Sequence, residues 1–382
     1  MAISRRSFST VLSASVAMPA FIGRASAQGA TIKIGMCAPV TGPAAEAGKY
    51  AQTGAKLALD AVNKAGGVLG KQVELIIEDD QTTNPGIVLA FSKLASQTDI
   101  VAFLGSIRST QVHAMAPDVL KIGKPVMIGG TDPALTHMGN PWLFRFRPND
   151  SYSGSVIADY GVKTLGKKKW AIVHSTDAFG TAGGKALSAA LGKIDGTTIA
   201  LDQGYSNQSQ DFTPVVLAIK QSGADILGSY FTFENDLGVF ARQLRQLGVT
   251  IPYVGSATIA SVTALKLAGP ALFGTFGVAD YAEDSSDASK AFGKIYRDAT
   301  KIAPDNQSSW TYDAITVLCM AIKKAGKTDP AAIREAILAV RKHAGAEGEY
   351  NFDANGDGLH GYNIVRNENG TIVFDKHIES TS

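Results

Sequence analysis

Cysteine is almost absent from this chain, which has two among its 382 residues, Cys37 and Cys319. Their separation fits none of the spacings by which cysteines bind zinc. A disulfide between them is permitted in an oxidising compartment. Because cysteine is among the most buried residue types, we favour two buried free thiols over a disulfide.

Long hydrophobic runs are missing beyond the N-terminus, where the apolar stretch 11–22 is shorter than the roughly 20 residues needed to span a bilayer. The stretch follows the pair Arg5-Arg6 and precedes a small-residue motif at 25–27. This order is typical of a cleaved signal peptide, and the arginine pair indicates the twin-arginine export route. We expect a mature protein that begins near Gln28, is located in the periplasm and has no stable membrane insertion. An uncleaved membrane anchor is the alternative.

An excess of charge of either sign is also missing, since 36 basic residues face 34 acidic residues. Removal of the predicted signal peptide, residues 1–27, takes away three arginines and leaves 33 basic residues against 34 acidic ones. A protein without a basic surplus is not expected to bind nucleic acid or an anionic membrane surface.

Motifs for catalysis, nucleotides and metals are lacking as well. The sequence has no G-x-S-x-G nucleophile elbow and no H-E-x-x-H pair, and its Gly-rich stretch 180–184 lacks the Gly-Lys-Ser/Thr that binds phosphate. Residues 353–358 resemble the start of a calcium loop, but Ile364 stands where that loop needs a glutamate. We therefore expect no enzymatic activity, no cofactor and no metal.

What the sequence does have is a regular alternation of strand and helix patterns, which predicts parallel sheets with crossover helices. In the first part we predict strands at 32–36, 73–77, 100–104 and 126–128, with helices at 48–64, 85–96 and 110–120. An extended segment at 142–148 interrupts this rhythm. It then resumes with strands at 170–174, 225–230, 253–255 and 275–278, helices at 184–191, 236–247, 287–300, 309–324 and 330–340, and short strands around 350, 362–365 and 371–374. The chain is thus predicted to be an α/β protein with two similar open-sheet lobes that bind ligand at the carboxyl ends of their strands.

Several segments resemble a known family. The opening at 33–46 (KIGMCAPVTGPAAE) is similar to the start of the periplasmic solute-binding proteins of ABC importers, of the leucine/isoleucine/valine-binding type. Further similar stretches follow in the family's order, at 63–71, 78–85, 124–136, 144–145 and 351–357. The resemblance implies the type I periplasmic binding fold, in which three hinge crossings join two lobes. It implies a first lobe of residues 28–146 plus 281–344, a second lobe of 147–280 plus 345–382, and an ABC transporter permease as partner.

The resemblance also implies which first-lobe residues contact the ligand. In the family, the loop after the third strand offers hydroxyl and backbone N–H groups to a ligand carboxylate, and Ser109 matches its binding serine. The alternative role of Ser109 is helix N-cap. Arg108 stands where the family has a small residue, and its planar fork of donors suits a carboxylate; the alternative is an exposed surface arginine. Gly130, or Gly129 if the alignment shifts by one, and Thr131 match the second ligand loop.

In the second lobe, Phe179 and Tyr230 fall where the family has aromatic residues that close over the ligand, with ordinary core packing as the alternative. Ala257 occupies the turn in which amino-acid binders of the family carry a carboxylate for the ligand ammonium. Glu46 or Asp280 would have to replace that carboxylate from another direction.

The missing acid at this turn and the presence of Arg108 favour a ligand richer in carboxylate than in ammonium, such as an aromatic or aliphatic organic acid, beside the branched-chain amino acids of the family. The expected function is capture of this ligand between the lobes and delivery to the permease. A sensor that presents its ligand to a signalling receptor is the alternative, and an exported enzyme is the third hypothesis.

Overall fold

The computed structural model describes residues 31–379, so the predicted signal peptide lies outside the described residues. Its first part alternates strands with helices. The elements in chain order are β1 (Ile32–Ala38), α1 (Ala45–Lys64), β2 (Val73–Asp79), α2 (Asn84–Ala95), β3 (Ile100–Leu104), α3 (Ser109–Ile122), β4 (Val126–Ile128), α4 (Ala134–His137) and β5 (Leu143–Arg145).

The second part repeats this pattern. Its elements are α5 (Asp150–Asp159), β6 (Lys169–Ser175), α6 (Ala178–Leu191), β7 (Thr198–Tyr205), α7 (Thr213–Ser222), β8 (Ile226–Tyr230), α8 (Glu234–Gln246), β9 (Tyr253–Gly255), α9 (Val262–Ala268) and β10 (Phe276–Ala279). The remainder comprises three helices and four strands, namely α10 (Asp287–Thr300), α11 (Asn306–Ala325), α12 (Pro330–Leu338), β11 (His343–Ala344), β12 (Glu349–Tyr350), β13 (Gly361–Glu368) and β14 (Thr371–Glu379).

Two separate sheets confirm the predicted fold class. The first sheet has five parallel strands in the order β2-β1-β3-β4-β5. The second has seven strands in the order β14-β13-β10-β9-β8-β6-β7, in which β13 and β14 are antiparallel additions to a parallel core. Each sheet is the centre of one lobe, because buried apolar strands need helices on both faces.

Helix α11 returns from the second sheet to the first lobe and packs against α1. The Thr311 hydroxyl donates to the backbone carbonyl of Ala51 at 2.8 Å. A Cβ atom at Gly54 would come within 2.0 Å of the Ser308 carbonyl oxygen, so glycine is needed for this close approach. The packing places the first residues of α11 at the boundary between the lobes.

Three crossings join the lobes and lie side by side: the first runs between β5 and α5, the second directly follows β10, and the third directly precedes β13. Arg147 in the first crossing forms an ion pair with Asp280 in the second, with 2.5 Å between Nη2 and Oδ2. Asp357, at the third crossing, accepts hydrogen bonds from Arg145 Nε at 2.8 Å and from Asn149 Nδ2 at 3.1 Å. The calcium-like segment of the sequence therefore forms a turn whose Asp357 is held by protein donors.

The lobe boundaries predicted from the sequence stay a prediction, and side-chain packing before β13 bears on the last of them. Tyr350, Phe352 and Leu359 are buried in the same apolar cluster as Ile34 of the first sheet. The sequence-based division assigned these three residues to the second lobe. Their packing favours a third crossing near residue 360 in place of 345.

The cysteine prediction is confirmed, since Cys37 and Cys319 are both buried free thiols. Burial raises the pKa of the Cys319 thiol to about 12. A thiol with so high a pKa is unreactive at neutral pH.

Candidate functional site

A small polar cavity of about 40 Å³, which we call the niche, lies between the two lobes. A water molecule needs roughly 10–15 Å³ of such volume, so the niche has room for only a few water-sized groups in this conformation. It is formed by the loop before α3, the starts of α6, α8 and α11, the segment between β9 and α9, and the first crossing. Its lining residues are Ile107, Arg108, Arg147, Phe179, Thr232, Glu234, Thr258, Ser261, Asn306 and Gln307.

Arg108 contributes the main positive charge to the niche. It is the N-cap residue of α3, and its side chain is held at the lobe boundary, where Cζ lies 4.8 Å from the centre of the Phe233 ring of the second lobe. The residue is only 9 % exposed, and its Nε and Nη2 have no hydrogen-bond partner among residues 31–379. Buried N–H groups without a partner are costly, so these donors are suited to an anionic ligand.

The structure brings Ser109 and Thr131 together at the carboxyl ends of β3 and β4. The Ser109 hydroxyl accepts hydrogen bonds from the N–H of Thr131 at 3.2 Å and of Asp132 at 3.1 Å. The Thr131 hydroxyl in turn donates to the Asp150 carboxylate at 2.8 Å. The Ser109 hydroxyl therefore joins the two loops, and the Thr131 hydroxyl joins the second loop to the start of α5. Neither residue lines the niche.

The backbone carbonyls of the second loop are held by the arginines of the first crossing. The Gly129 carbonyl accepts from Arg147 Nη1 at 3.0 Å, and the Gly130 carbonyl accepts from Arg145 Nη1 at 3.2 Å. Arg147 also pairs with Asp280, whose carboxylate is thus already engaged by a cation. The pairing engages Oδ2, while Oδ1 has no hydrogen-bond partner among residues 31–379, and a role of Asp280 toward a ligand ammonium stays a prediction.

The other predicted site residues differ from one another in their surroundings. They are Phe179, Tyr230, Ala257 and Glu46. Phe179 lines the niche, but Tyr230 is fully buried beneath it, with its hydroxyl 2.9 Å from that of Ser153. Burial raises the pKa of Tyr230. Ala257 lines a separate, larger apolar cavity, and Glu46 is exposed and paired with Lys49 at 2.9 Å. Three of these four residues are therefore not part of the niche. Tyr230 is packed in the core, Ala257 lines the larger cavity, and Glu46 is exposed to solvent.

Glu234 is a niche residue that the sequence did not reveal. It is the first residue of α8, is 7 % exposed and brings a carboxylate to the same cavity as Arg108. No acidic residue occupies the turn around Ala257, but the chain after β8 supplies Glu234. An acidic residue in a first helical turn is common, because it complements the helix dipole. Nothing in the sequence therefore marked Glu234 as a site residue.

The start of α11 completes the polar surroundings. Asp305 caps this helix in a capping box, in which its carboxylate accepts from the N–H groups of Gln307 and Ser308. Burial and the neighbouring charge of Glu234 raise the pKa of Asp305 to about 7. Asn306 and Gln307, which follow it, both line the niche.

Within residues 31–379 no three His, Cys, Asp or Glu side chains are grouped in a way that would hold a metal ion. None of the described helices combines the length and apolar character needed to cross a membrane.

Two α/β lobes, three adjacent crossings and a polar niche between the lobes define a two-lobed binding protein of the type I periplasmic class. The family described as "Periplasmic binding protein" matches residues 31–371, and the chain belongs to this family. A curated relative, the Leu/Ile/Val-binding protein homolog 3 of Brucella melitensis, is 30 % identical over 95 % of this chain and 98 % of its own length.

Solved structures show the same fold at lower identity. The branched-chain amino acid transporter substrate-binding protein LivJ from Streptococcus pneumoniae, in complex with isoleucine, aligns with a TM-score of 0.84 at 23 % identity, covering 92 % of this chain and 100 % of LivJ. A solute-binding protein of an ABC transporter from R. palustris, in complex with benzoate, aligns with a TM-score of 0.79 at 21 % identity, covering 92 % of this chain and 98 % of its own.

Proposed function

We propose that this protein is an extracytoplasmic solute-binding protein that captures a small carboxylate-bearing ligand between its lobes and delivers it to the permease of an ABC transporter. Family membership supports the general role. The observation that carries the choice of ligand is the Arg108 side chain, which lines the niche and whose buried Nε and Nη2 have no hydrogen-bond partner among residues 31–379. A ligand carboxylate would satisfy these donors with charge-assisted hydrogen bonds.

The charges around the niche favour a zwitterion within this ligand class. Arg147 and Asp280 already neutralise each other, which leaves the positive Arg108 and the negative Glu234. An amino acid would place its carboxylate on Arg108 and its ammonium on Glu234, so that each of these two niche residues would gain a counter-charge. An organic acid such as the benzoate of the R. palustris protein remains the second candidate, and it would leave Glu234 uncompensated.

Binding would require the lobes to open. The Thr110 hydroxyl accepts from the N–H of Ala178 at 3.2 Å across the lobe boundary, and Arg108 contacts Phe233. A niche of about 40 Å³ closed by such contacts offers no entry for a whole ligand. We propose rotation about the crossings, with lobes at 31–146 plus 281–360 and at 147–280 plus 361–379, and we expect no chemical change of the ligand.

Location and partner extend the same proposal. The twin-arginine pattern of residues 1–27 supports export with cleavage near Gln28. The family supports an importer permease as the partner of the ligand-bound protein. A sensor that presents the same ligand to a receptor is the alternative. A pull-down from membranes that contain the ABC transporter permease would distinguish this sensor from a transport protein.

The proposal is tested by isothermal titration of leucine, isoleucine, valine and benzoate into the wild-type protein and into Arg108→Ala. We expect binding of at least one of these carboxylates, weakened by roughly 10- to 150-fold in the variant, the equivalent of 1.5–3 kcal/mol for a hydrogen bond to a charged group. The matched control is Arg366→Ala, an exposed arginine on β13. Unchanged affinity in Arg108→Ala would contradict the assigned role of Arg108.

A further inference from the structure

Asp80, the residue that follows β2, carries a buried carboxylate of which one oxygen has no partner. The residue is 0 % exposed. Its Oδ1 accepts a hydrogen bond from the N–H of Thr82 at 2.7 Å, whereas Oδ2 has no hydrogen-bond partner in the part of the chain that the structure describes, residues 31–379. A buried polar atom without a partner costs free energy, so Oδ2 is suited to a donor that another conformation brings to it.

Hydrogen bonds hold the turn at Asp80 against the loop that carries Arg108. The Ser106 hydroxyl accepts from the N–H of Arg108 at 2.9 Å and donates to Gln111 Oε1 at 2.5 Å. Gln111 Nε2 donates to the Thr83 carbonyl at 3.2 Å, and the N–H of Thr83 donates to the Asp80 carbonyl at 3.0 Å. The backbone of Arg108 is therefore fixed relative to Asp80, and a change of partner at Arg108 is a movement of its side chain.

The charge of Arg108 acts on this carboxylate. Burial raises the pKa of Asp80, and the N–H of Thr82 and the positive charge of Arg108 oppose the rise. The two side chains do not bond each other in the closed conformation, in which Arg108 Nε and Nη2 and Asp80 Oδ2 all lack a hydrogen-bond partner within the described residues. Cζ of Arg108 instead lies 4.8 Å from the centre of the Phe233 ring. Phe233 belongs to the second lobe, so opening of the lobes removes this contact and leaves Arg108 with Asp80 in the first lobe.

We propose that Asp80 is a positioning residue that pairs with the Arg108 guanidinium in the open, ligand-free protein, and that a ligand carboxylate must displace it to bind. The inference rests on the proposed function and adds to it a device for ligand release. Because two carboxylates compete for one guanidinium, Asp80 lowers the affinity for the ligand. When the lobes open, the pair with Asp80 forms again and the ligand carboxylate loses its partner.

Asp80→Asn tests the competition, because it keeps the shape of the side chain and removes its charge. Isothermal titration of leucine, isoleucine, valine and benzoate should show affinity at least about threefold higher in the variant, as expected if Arg108 is free in no more than about a third of the wild-type molecules. In the Arg108→Ala background the same substitution should change the affinity by less than about twofold, because its effect acts through Arg108. An Asp80 that only supports the fold would weaken binding in both backgrounds.

Proton–nitrogen NMR of the arginine Nε–H groups tests the pairing in the ligand-free protein. The Arg108 signal is assigned by its absence from Arg108→Ala, and it should shift in Asp80→Asn. The matched control is Asp60→Asn, the same substitution at an exposed position of α1, which should leave both this signal and the affinities unchanged. Asp80→Ser, which also removes the charge, takes the place of Asp80→Asn if thermal unfolding shows that the latter is not folded.

The outcomes separate this inference from the proposed function. An Arg108 signal that does not shift, or an affinity that falls or stays the same in Asp80→Asn, would overturn the role of Asp80 and leave the proposed function intact. Absence of wild-type binding by all four carboxylates would overturn the proposed function, while the NMR signal would still decide whether Asp80 pairs with Arg108.

Discussion

At the scale of single residues, the niche depends on two opposite charges that come from different lobes. Arg108 caps α3 of the first lobe, and Glu234 begins α8 of the second. Both are buried and both line the same cavity, although no direct ion pair joins them in the described part of the chain. A ligand that contacts both would link the lobes electrostatically, which a purely apolar ligand would not do.

Glu234→Gln tests this arrangement. The substitution keeps the shape of the side chain and removes its charge, so a ligand ammonium would lose a charge-assisted partner. We expect the affinity for leucine or phenylalanine to fall by roughly 10- to 150-fold, the range for hydrogen bonds to charged groups, and the affinity for benzoate not to fall. Isothermal titration at pH 7 measures both, with Glu335→Gln on the exposed side of α12 as control. A loss of benzoate affinity as large as that of the amino acids would contradict an ammonium partner at Glu234.

Residue-level prediction from the sequence could name the loops at the carboxyl ends of β3 and β4 but not which of their side chains line the niche. Arg108 lines it, whereas Ser109 and Thr131 do not, and ligand binding by all three stays a prediction. Glu234 and Arg147 were missed because each looks ordinary in the sequence, one as a helix-start acid and one as a surface-type arginine. Their burial arises only when two lobes and three crossings meet, which no local pattern encodes.

At the scale of elements, the sequence predicted best the strands that are buried on both faces. The predicted bounds of β3, β4 and β9 agree with the structure because a short apolar run between turn residues has few other arrangements. The edge strand β7 was missed, since four of its eight residues are only partly buried and three are exposed. Helix α5 was missed because its sequence DSYSGSVIAD is rich in serine, which is usually a turn former.

The crossings are the elements on which both lobes depend, and their stability rests on a buried ion pair. Asp280→Ala would leave the Arg147 guanidinium buried without its carboxylate partner. Removal of one member of such a pair costs about 3–5 kcal/mol of unfolding free energy, so the urea midpoint should fall markedly. Glu368→Ala, which removes an exposed partner of Arg366, should cost less than about 1 kcal/mol. Equal midpoints for the two variants would show that the crossing pair does not stabilise the fold.

At the scale of the whole molecule, several carboxyl groups are buried at the lobe boundary and near the crossings. Burial raises the pKa of Asp150 and of Asp305 to about 7 and that of Asp313 to about 6. In the unfolded chain such groups titrate near 3.9. Between about pH 4 and pH 7 the folded protein therefore holds protons that the unfolded chain has already released.

This difference sets the direction of the pH dependence. Because unfolding releases protons in this range, the free energy of unfolding falls as the pH rises from about 4 to 7 and levels off above the folded-state pKa values. Each unit of pKa difference corresponds to about 1.4 kcal/mol, so three such groups are enough to lower the melting temperature by several degrees. From these three carboxyl groups we therefore expect the protein to be more stable at mildly acidic pH than at pH 8.

Thermal unfolding at pH 5 and pH 8, followed by circular dichroism, measures the effect, and Asp150→Asn assigns part of it. An asparagine at this position still accepts the hydrogen bond from Thr131 but carries no titrating proton, so the melting temperature of the variant should depend less on pH than that of the wild type. Asp195→Asn, at an exposed position, should leave the wild-type pH dependence unchanged. A melting temperature that rises from pH 5 to pH 8 in the wild type would mean that ionised carboxylates at the lobe boundary are stabilised by their arginine neighbours more than burial penalises them.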